Sequence, residues 1–127
     1  MESTSMVRAG ALLSGLAVGL GAFGAHSMKA HYDAAALQTF ETGVRYQMYH
    51  GLGLVLCGLL AERGWRLRGA ALCLLGGTAL FSGSLYGLVL AGWKWLGPVT
   101  PIGGVLFLIG WLLVALAGRP GNGNARA

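Results

Sequence analysis

Glu41, Arg45 and His50 fall within one eleven-residue stretch, FETGVRYQMYH, in a chain that holds only four acidic residues. Glu41 precedes Arg45 by four positions, the favourable order for an ion pair along a helix. Five residues on, His50 brings an imidazole, a group suited to proton relay or metal coordination. A second imidazole, His26, closes the preceding apolar stretch GAFGAH. If His26, Glu41, Arg45 and His50 converge, they form a polar mouth able to hold a small anion, a quinone, a metal or a proton. The metal version lacks the usual spacing, since no HxxxH or CxxC pattern occurs, and Cys57 and Cys73 stand singly inside apolar runs. The bland alternative is a structural hydrogen-bond cluster, because a neutral imidazole in an apolar setting needs a partner. For Arg45, Tyr46 and Tyr49 the alternative is an anchor, with the guanidinium at the headgroups and the tyrosines in an aromatic belt.

The elements that must position these residues are apolar helices. Hydrophobic residues make up 55% of the 127 and charged residues 10%, against about 25% charge in soluble domains. The mean hydropathy is +0.65. The length suits one domain. Nine basic residues give a net charge of +5, but they are scattered singly with no basic face, which argues against nucleic acid and for a lipid bilayer as the main partner.

Four uncharged runs punctuate the chain: 9–25, 46–61, 69–93 and 95–118. About 20 helical residues cross a hydrocarbon core of about 30 Å. The third and fourth runs suffice alone, while the first and second draw on flanking residues such as Arg8 and Arg45. The expectation is an all-α integral membrane four-helix bundle, residues 1–118, with spans at about 7–25, 45–62, 69–92 and 101–118. A polar, glycine-rich tail, 119–127, is expected to be disordered. The first run also has the outline of a signal peptide, with Arg8, an apolar core and Ala22-Phe23-Gly24, which would leave three spans.

With four spans, one side carries Arg8, Arg63, Arg66, Arg68, Arg119 and Arg126, and the other Lys29, Arg45 and Lys94. Positive charge accumulates on cytoplasmic loops, so both termini are expected to face the cytoplasm. The one long connection, from His26 to about Arg45, is then external. Asp33 is a good N-cap there, and Leu37, Phe40, Val44 and Met48 recur at helical spacing. A short amphipathic helix starting near Ala34 is expected in this loop, feeding span two through a bend or an exposed first third. Pro98 and Pro101 place the start of span four near Pro101.

Glycine is in excess, 23 residues. In lipid, helices associate through close approach at small residues. Ala17, Gly21 and Ala25 form one such ridge, with Gly15 and Gly19 as a second register; Ala79, Gly83, Gly87 and Ala91 form another. These are expected to make tight helix contacts, within the chain or with a second copy.

Four motifs, GAFGAH (21–26), FETGVRYQMYH (40–50), FSGSLYGL (81–88) and TPIGGVLFLIGW (100–111), occur in that order. Together the chain resembles the YgdD-like family of small bacterial inner-membrane proteins, related to vertebrate transmembrane protein 256. The resemblance runs from about Met6 to Gly118. It implies a four-span protein of the bacterial inner membrane, of a family without an established activity, cofactor or catalytic residue, and it weighs against signal-peptide cleavage.

No nucleophile with a base, phosphate loop or dinucleotide fingerprint is present, so no catalytic residue, metal or cofactor is expected. The function class favoured is a non-enzymatic structural or accessory membrane component that contacts other membrane proteins or copies of itself. The alternatives are a small transporter or channel component, and a ligand, quinone or metal binder built on His26, Glu41, Arg45 and His50. The first of these would have only Thr78, Ser82, Ser84 and Tyr86 as polar lining in spans three and four.

Overall fold

A computed structural model describes residues 1–118; the tail expected to be disordered, 119–127, lies outside them. All regular structure among the described residues is helical. The four long helices are α1 (Ser3–His26), α2 (Ala34–Glu62), α3 (Arg68–Tyr86) and α4 (Val99–Leu116). Three stretches are long and apolar enough to cross a membrane: Ser3–Ala30, Arg68–Ala91 and Lys94–Leu116. Helix α2, which carries Glu41, Arg45, Gln47 and His50, is not one of them.

Asp33 starts α2 as its side chain accepts a hydrogen bond from the Ala36 backbone N–H at 2.8 Å. The helix then runs unbroken for 29 residues. A separate amphipathic helix in the first loop is therefore not found. The loop keeps a three-residue 3-10 turn, Met28–Ala30, and the amphipathic stretch is the first third of α2. The reason is local: after the Asp33 cap no proline occurs before Pro98, so nothing forces the helix to stop. Its inner face is as spaced, with Phe40 buried, Leu37, Val44 and Met48 half-buried, and Gln38, Glu41 and Arg45 exposed. Asp33→Ala is expected to lower stability by about 1 kcal/mol through loss of this cap, read as a small drop in the melting temperature in detergent with helix content retained.

Helix α3 continues past Tyr86 into a π-helical turn, Gly87–Ala91, which ends at Gly92 with φ +69°. That left-handed conformation suits glycine and stops the helix. Pro98 is the N-cap of α4 and Pro101 lies in its first turn, where a missing N–H costs no helical hydrogen bond.

The helices pair in sequence order: α1 on α2, α2 on α3, α3 on α4. Glycines set the close approaches, though several are not those of the expected ridges. A Cβ on Gly51 would come within 2.6 Å of Ser14 Oγ and 3.0 Å of the Gly10 carbonyl, and one on Gly58 within 2.8 Å of the Ser3 carbonyl. Gly77 and Gly103 similarly bring α3 and α4 together, with a Gly103 Cβ meeting the Phe81 backbone at 2.5 Å. Of the first expected ridge, Ala17 is buried and Gly21 meets Val44, whereas Ala25 is exposed. The Ala79, Gly83, Gly87, Ala91 ridge is not an intrachain helix contact. Ala79, Gly83 and Ala91 are exposed, Gly83 has nothing within 4 Å, and Gly87 packs on Leu96 of the connection to α4. Gly15 and Gly19 are likewise open. Small-residue spacing identifies faces capable of close approach but does not say which of them the chain uses.

These pairings also fix heights. Gly21 meets Val44, and Gly51 meets Ser14, so Ala17, the centre of the apolar run 9–25, lies level with about Met48. Arg45 is then only three residues, about 4.5 Å along the axis, from the level of Ala17, and Glu41 about 10.5 Å. The second span was expected to begin at Arg45; the antiparallel pairing with α1 starts well before it.

Candidate functional site

The polar side chains buried between the helices form a layer of cross-links. Gln47 Nε2 donates to the Leu13 carbonyl at 2.8 Å, joining α2 to α1. Tyr86 Oη donates to Gln47 Oε1 at 2.6 Å, joining α3 to the same amide. Ser82 Oγ donates to the Gly43 carbonyl at 2.6 Å, and Ser84 and Thr100 hydroxyls meet at 2.5 Å between α3 and α4. Thr78 turns back to its own helix, donating to the Leu74 carbonyl at 2.8 Å.

His50 belongs to this layer. Its Nδ1 lies 2.6 Å from the Tyr46 carbonyl, and its Nε2 is 3.0 Å from Trp111 Nε1. A carbonyl only accepts and an indole N–H only donates. Nδ1 therefore carries the proton and Nε2 accepts, which defines a neutral imidazole with both nitrogens engaged. The ring lies flat on Phe107, with centroids 3.5 Å apart and planes 8° from parallel. Tyr46 stacks near the same ring at 6.1 Å and packs on Phe81 at 4.6 Å. To bind a metal or pass a proton through Nε2, His50 would have to release Trp111.

Glu41 and Arg45 form the expected pair, Arg45 Nη2 donating to Glu41 Oε1 at 3.0 Å, with side chains 60% and 57% exposed. They border a cavity of about 340 Å³ between the end of α1 and the start of α2, with Lys29 at its rim and Gly21, Phe40 and Val44 in its walls. The expected convergence of four residues does not occur. His26 is exposed at the end of α1. Ser14 is level with Gly51, so His26 stands eleven residues, about 16 Å, beyond His50 along α1. The proposed mouth splits into a buried imidazole bound to α4 and an exposed ion pair beside α1.

Several members of the polar layer carry little or no mark in the sequence beyond their polarity. Trp111 sits in an apolar run like any lipid-facing tryptophan. Gln47 lies inside FETGVRYQMYH and is signalled only by being polar within a span, as are Ser82, Ser84 and Tyr86. Cys57 is buried and Cys73 half-buried, both as free thiols; Cys57 packs in the apolar cluster with Met6, Leu54, Leu74 and Phe107.

Long apolar helices, glycine-mediated contacts and an inward polar layer define a helical membrane protein. Residues 20–104 match the model of the family described as protein of unknown function (DUF423), and the chain belongs to that family. It is 46% identical over 109 residues to the UPF0382 membrane protein SERP0230 of Staphylococcus epidermidis, covering 85% of this chain and 89% of the relative. It is 44% identical over 114 residues to the UPF0382 membrane protein YwdK of Bacillus subtilis, covering 85% and 90%. The relatives are bacterial membrane proteins, in agreement with the resemblance carried by the four motifs. No solved structure matches the chain.

Proposed function

We propose that this protein is a structural or accessory component of the bacterial cytoplasmic membrane, acting through helix contacts with other membrane proteins or with copies of itself and not through catalysis. The observation that carries this reading is the use of the polar interior. Among the described residues, no buried side-chain nitrogen or oxygen lacks a hydrogen-bond partner, and those partners are on neighbouring helices or the residue's own turn. Groups engaged in this way hold helices in register.

Helix α2 is the fourth span in this proposal. Two of its polar residues, Gln47 and His50, are buried against neighbouring helices, which lowers its hydropathy without presenting those groups to lipid. The arginine-rich end holding Arg8, Arg63, Arg66 and Arg68 is cytoplasmic, and so are both termini. In a Cys57→Ala, Cys73→Ala background, Ser27→Cys and Trp95→Cys are expected to react with a membrane-impermeant maleimide in spheroplasts. Arg66→Cys should react only after permeabilisation. The reverse pattern inverts the topology, and accessibility of Ser27 and Arg66 from one side removes the span between them.

The role itself is tested by in-cell photo-crosslinking combined with native mass spectrometry from nanodiscs. Reproducible protein adducts support an accessory role. A stoichiometric small molecule, with no protein partner, would favour a second reading, a ligand site in the cavity bordered by Lys29, Glu41 and Arg45.

A further inference from the structure

The Glu41–Arg45 pair is poorly matched to lipid. By the pairing of α1 with α2, both residues lie within about 11 Å of the level of Ala17, inside the half-thickness of about 15 Å of a bilayer core. Yet both side chains are more than half exposed. Arg45 directs one hydrogen bond to Glu41, of the five its guanidinium can donate, and a carboxylate has room for several more than the one it accepts. Hydrocarbon offers neither donors nor acceptors, so unmet capacity of both kinds at this depth is costly.

The pair heads a regular seam on α2. Arg45, Tyr49, Leu52, Leu56, Leu59 and Arg63 follow one another at spacings of four, three, four, three and four. That is the 3.5-residue repeat of helices that supercoil about one another. The four central members are each between 50% and 54% exposed. The seam is flanked by α1, which shares the Arg45 cavity, and by α4, whose Trp111 and Val114 share a groove with Leu56 and Leu59.

We propose that this seam is a homodimer interface, with α2 of one copy lying parallel to α2 of a second about a two-fold axis along the membrane normal. The inference rests on the four-span reading above. Charge complementarity selects the occupant. At a parallel two-fold contact the two pairs lie at one height, so Arg45 of each copy meets Glu41 of the other in a square of alternating charge. A second copy supplies acceptors for Arg45 and donors for Glu41 together, and its own unmet groups are satisfied by the same contact. An anionic lipid headgroup would answer Arg45 alone.

The test exploits this reciprocity. Glu41→Lys and Arg45→Glu are expressed separately and together, with different tags, and analysed by co-purification and native mass spectrometry in nanodiscs. The wild type should be dimeric. Each variant alone should lose at least tenfold in dimer, since like charges meet, and co-expression should recover a 1:1 heterodimer. A second measurement needs no charge change: in the Cys57→Ala, Cys73→Ala background, Leu52→Cys should form an oxidative disulfide between copies, and Leu108→Cys on α4 should not. A monomeric wild type, co-expressed variants that fail to associate, or equal crosslinking at Leu52 and Leu108 overturns the interface. Maleimide labelling of Ser27→Cys and Arg66→Cys in the same samples reports the topology separately, so failure of the dimer is distinguishable from failure of the four-span reading.

Discussion

Replacing Gly51 with leucine is expected to separate α1 from α2 and to cause a large loss of stability. The position has no room even for a methyl group, since a Cβ would stand 2.6 Å from Ser14 Oγ, 3.0 Å from the Gly10 carbonyl and 3.1 Å from the Ser14 backbone nitrogen. Two of these three neighbours are backbone atoms, which cannot swing aside as the end of a side chain can. Relief requires α1 to move outward, and that movement also lengthens the Gln47 to Leu13 hydrogen bond, now 2.8 Å, and opens the contact at Gly58. Overpacking a tight core costs about 1–3 kcal/mol where side chains can adjust, and a backbone-limited contact belongs at or above the top of that range. Gly51→Leu should therefore reduce the yield of folded protein in mild detergent and lower the melting temperature of what remains, with Gly51→Ala intermediate. Gly15→Ala and Gly19→Ala are the controls. Both positions lie on α1 with nothing within 4 Å, and both should leave the melting temperature unchanged or slightly raised, alanine being the better helix former. A loss at Gly19 as large as at Gly51 would show that α1 packs with its other face.

That contrast marks the boundary of what the residues disclose on their own. The start of α2, its inner face and the Glu41–Arg45 pair follow from local rules, because an N-cap, a 3.6-residue period and an i, i+4 spacing are each satisfied within one helix. Which glycine meets which helix depends on how neighbouring helices are rotated about their axes, and a small-xxx-small pattern is equally legible on a packed and on an open face. Ala79 and Gly83 show this, having the right spacing and facing outward. The depth of Arg45 was hidden for a related reason. Measured from the first charge before an apolar run, Arg45 marks a boundary; measured from its neighbour across the helix pair, it lies near the middle of α1. Gln47 and His50 of α2 are covered by other helices, and that cover is a tertiary property absent from any window of sequence. The separation of His26 from His50 has the same origin, since His26 ends α1 whereas His50 lies midway along the unbroken α2.

His50 tests whether the polar layer is a structural device, and its alanine variant is expected to give the second large effect. The ring is buried, with Phe107 stacked on it at 3.5 Å and Trp111 donating to Nε2. Alanine would leave a void beneath Phe107 and take away the acceptor of the indole N–H. Truncating a large buried side chain commonly costs about 2–5 kcal/mol, and hydrogen bonds between membrane helices average nearer 0.6 kcal/mol with a maximum of about 1.7. Most of the loss is therefore assigned to packing, with the hydrogen bond a smaller part. Two further variants separate the parts. His50→Leu fills much of the space but offers no acceptor, so it should recover most of the lost melting temperature. Trp111→Phe removes the donor while retaining a ring, and in a double-mutant cycle with His50→Leu it should show a coupling of about 0.5–1.5 kcal/mol. If His50→Ala unfolds as late as wild type while the bound mass in native spectra changes, the imidazole serves a ligand and the structural assignment of the layer fails. If it unfolds early and His50→Leu restores it, His50 is a packing and hydrogen-bonding residue that joins α2 to α4. The polar character of this helix then serves the assembly of the four helices.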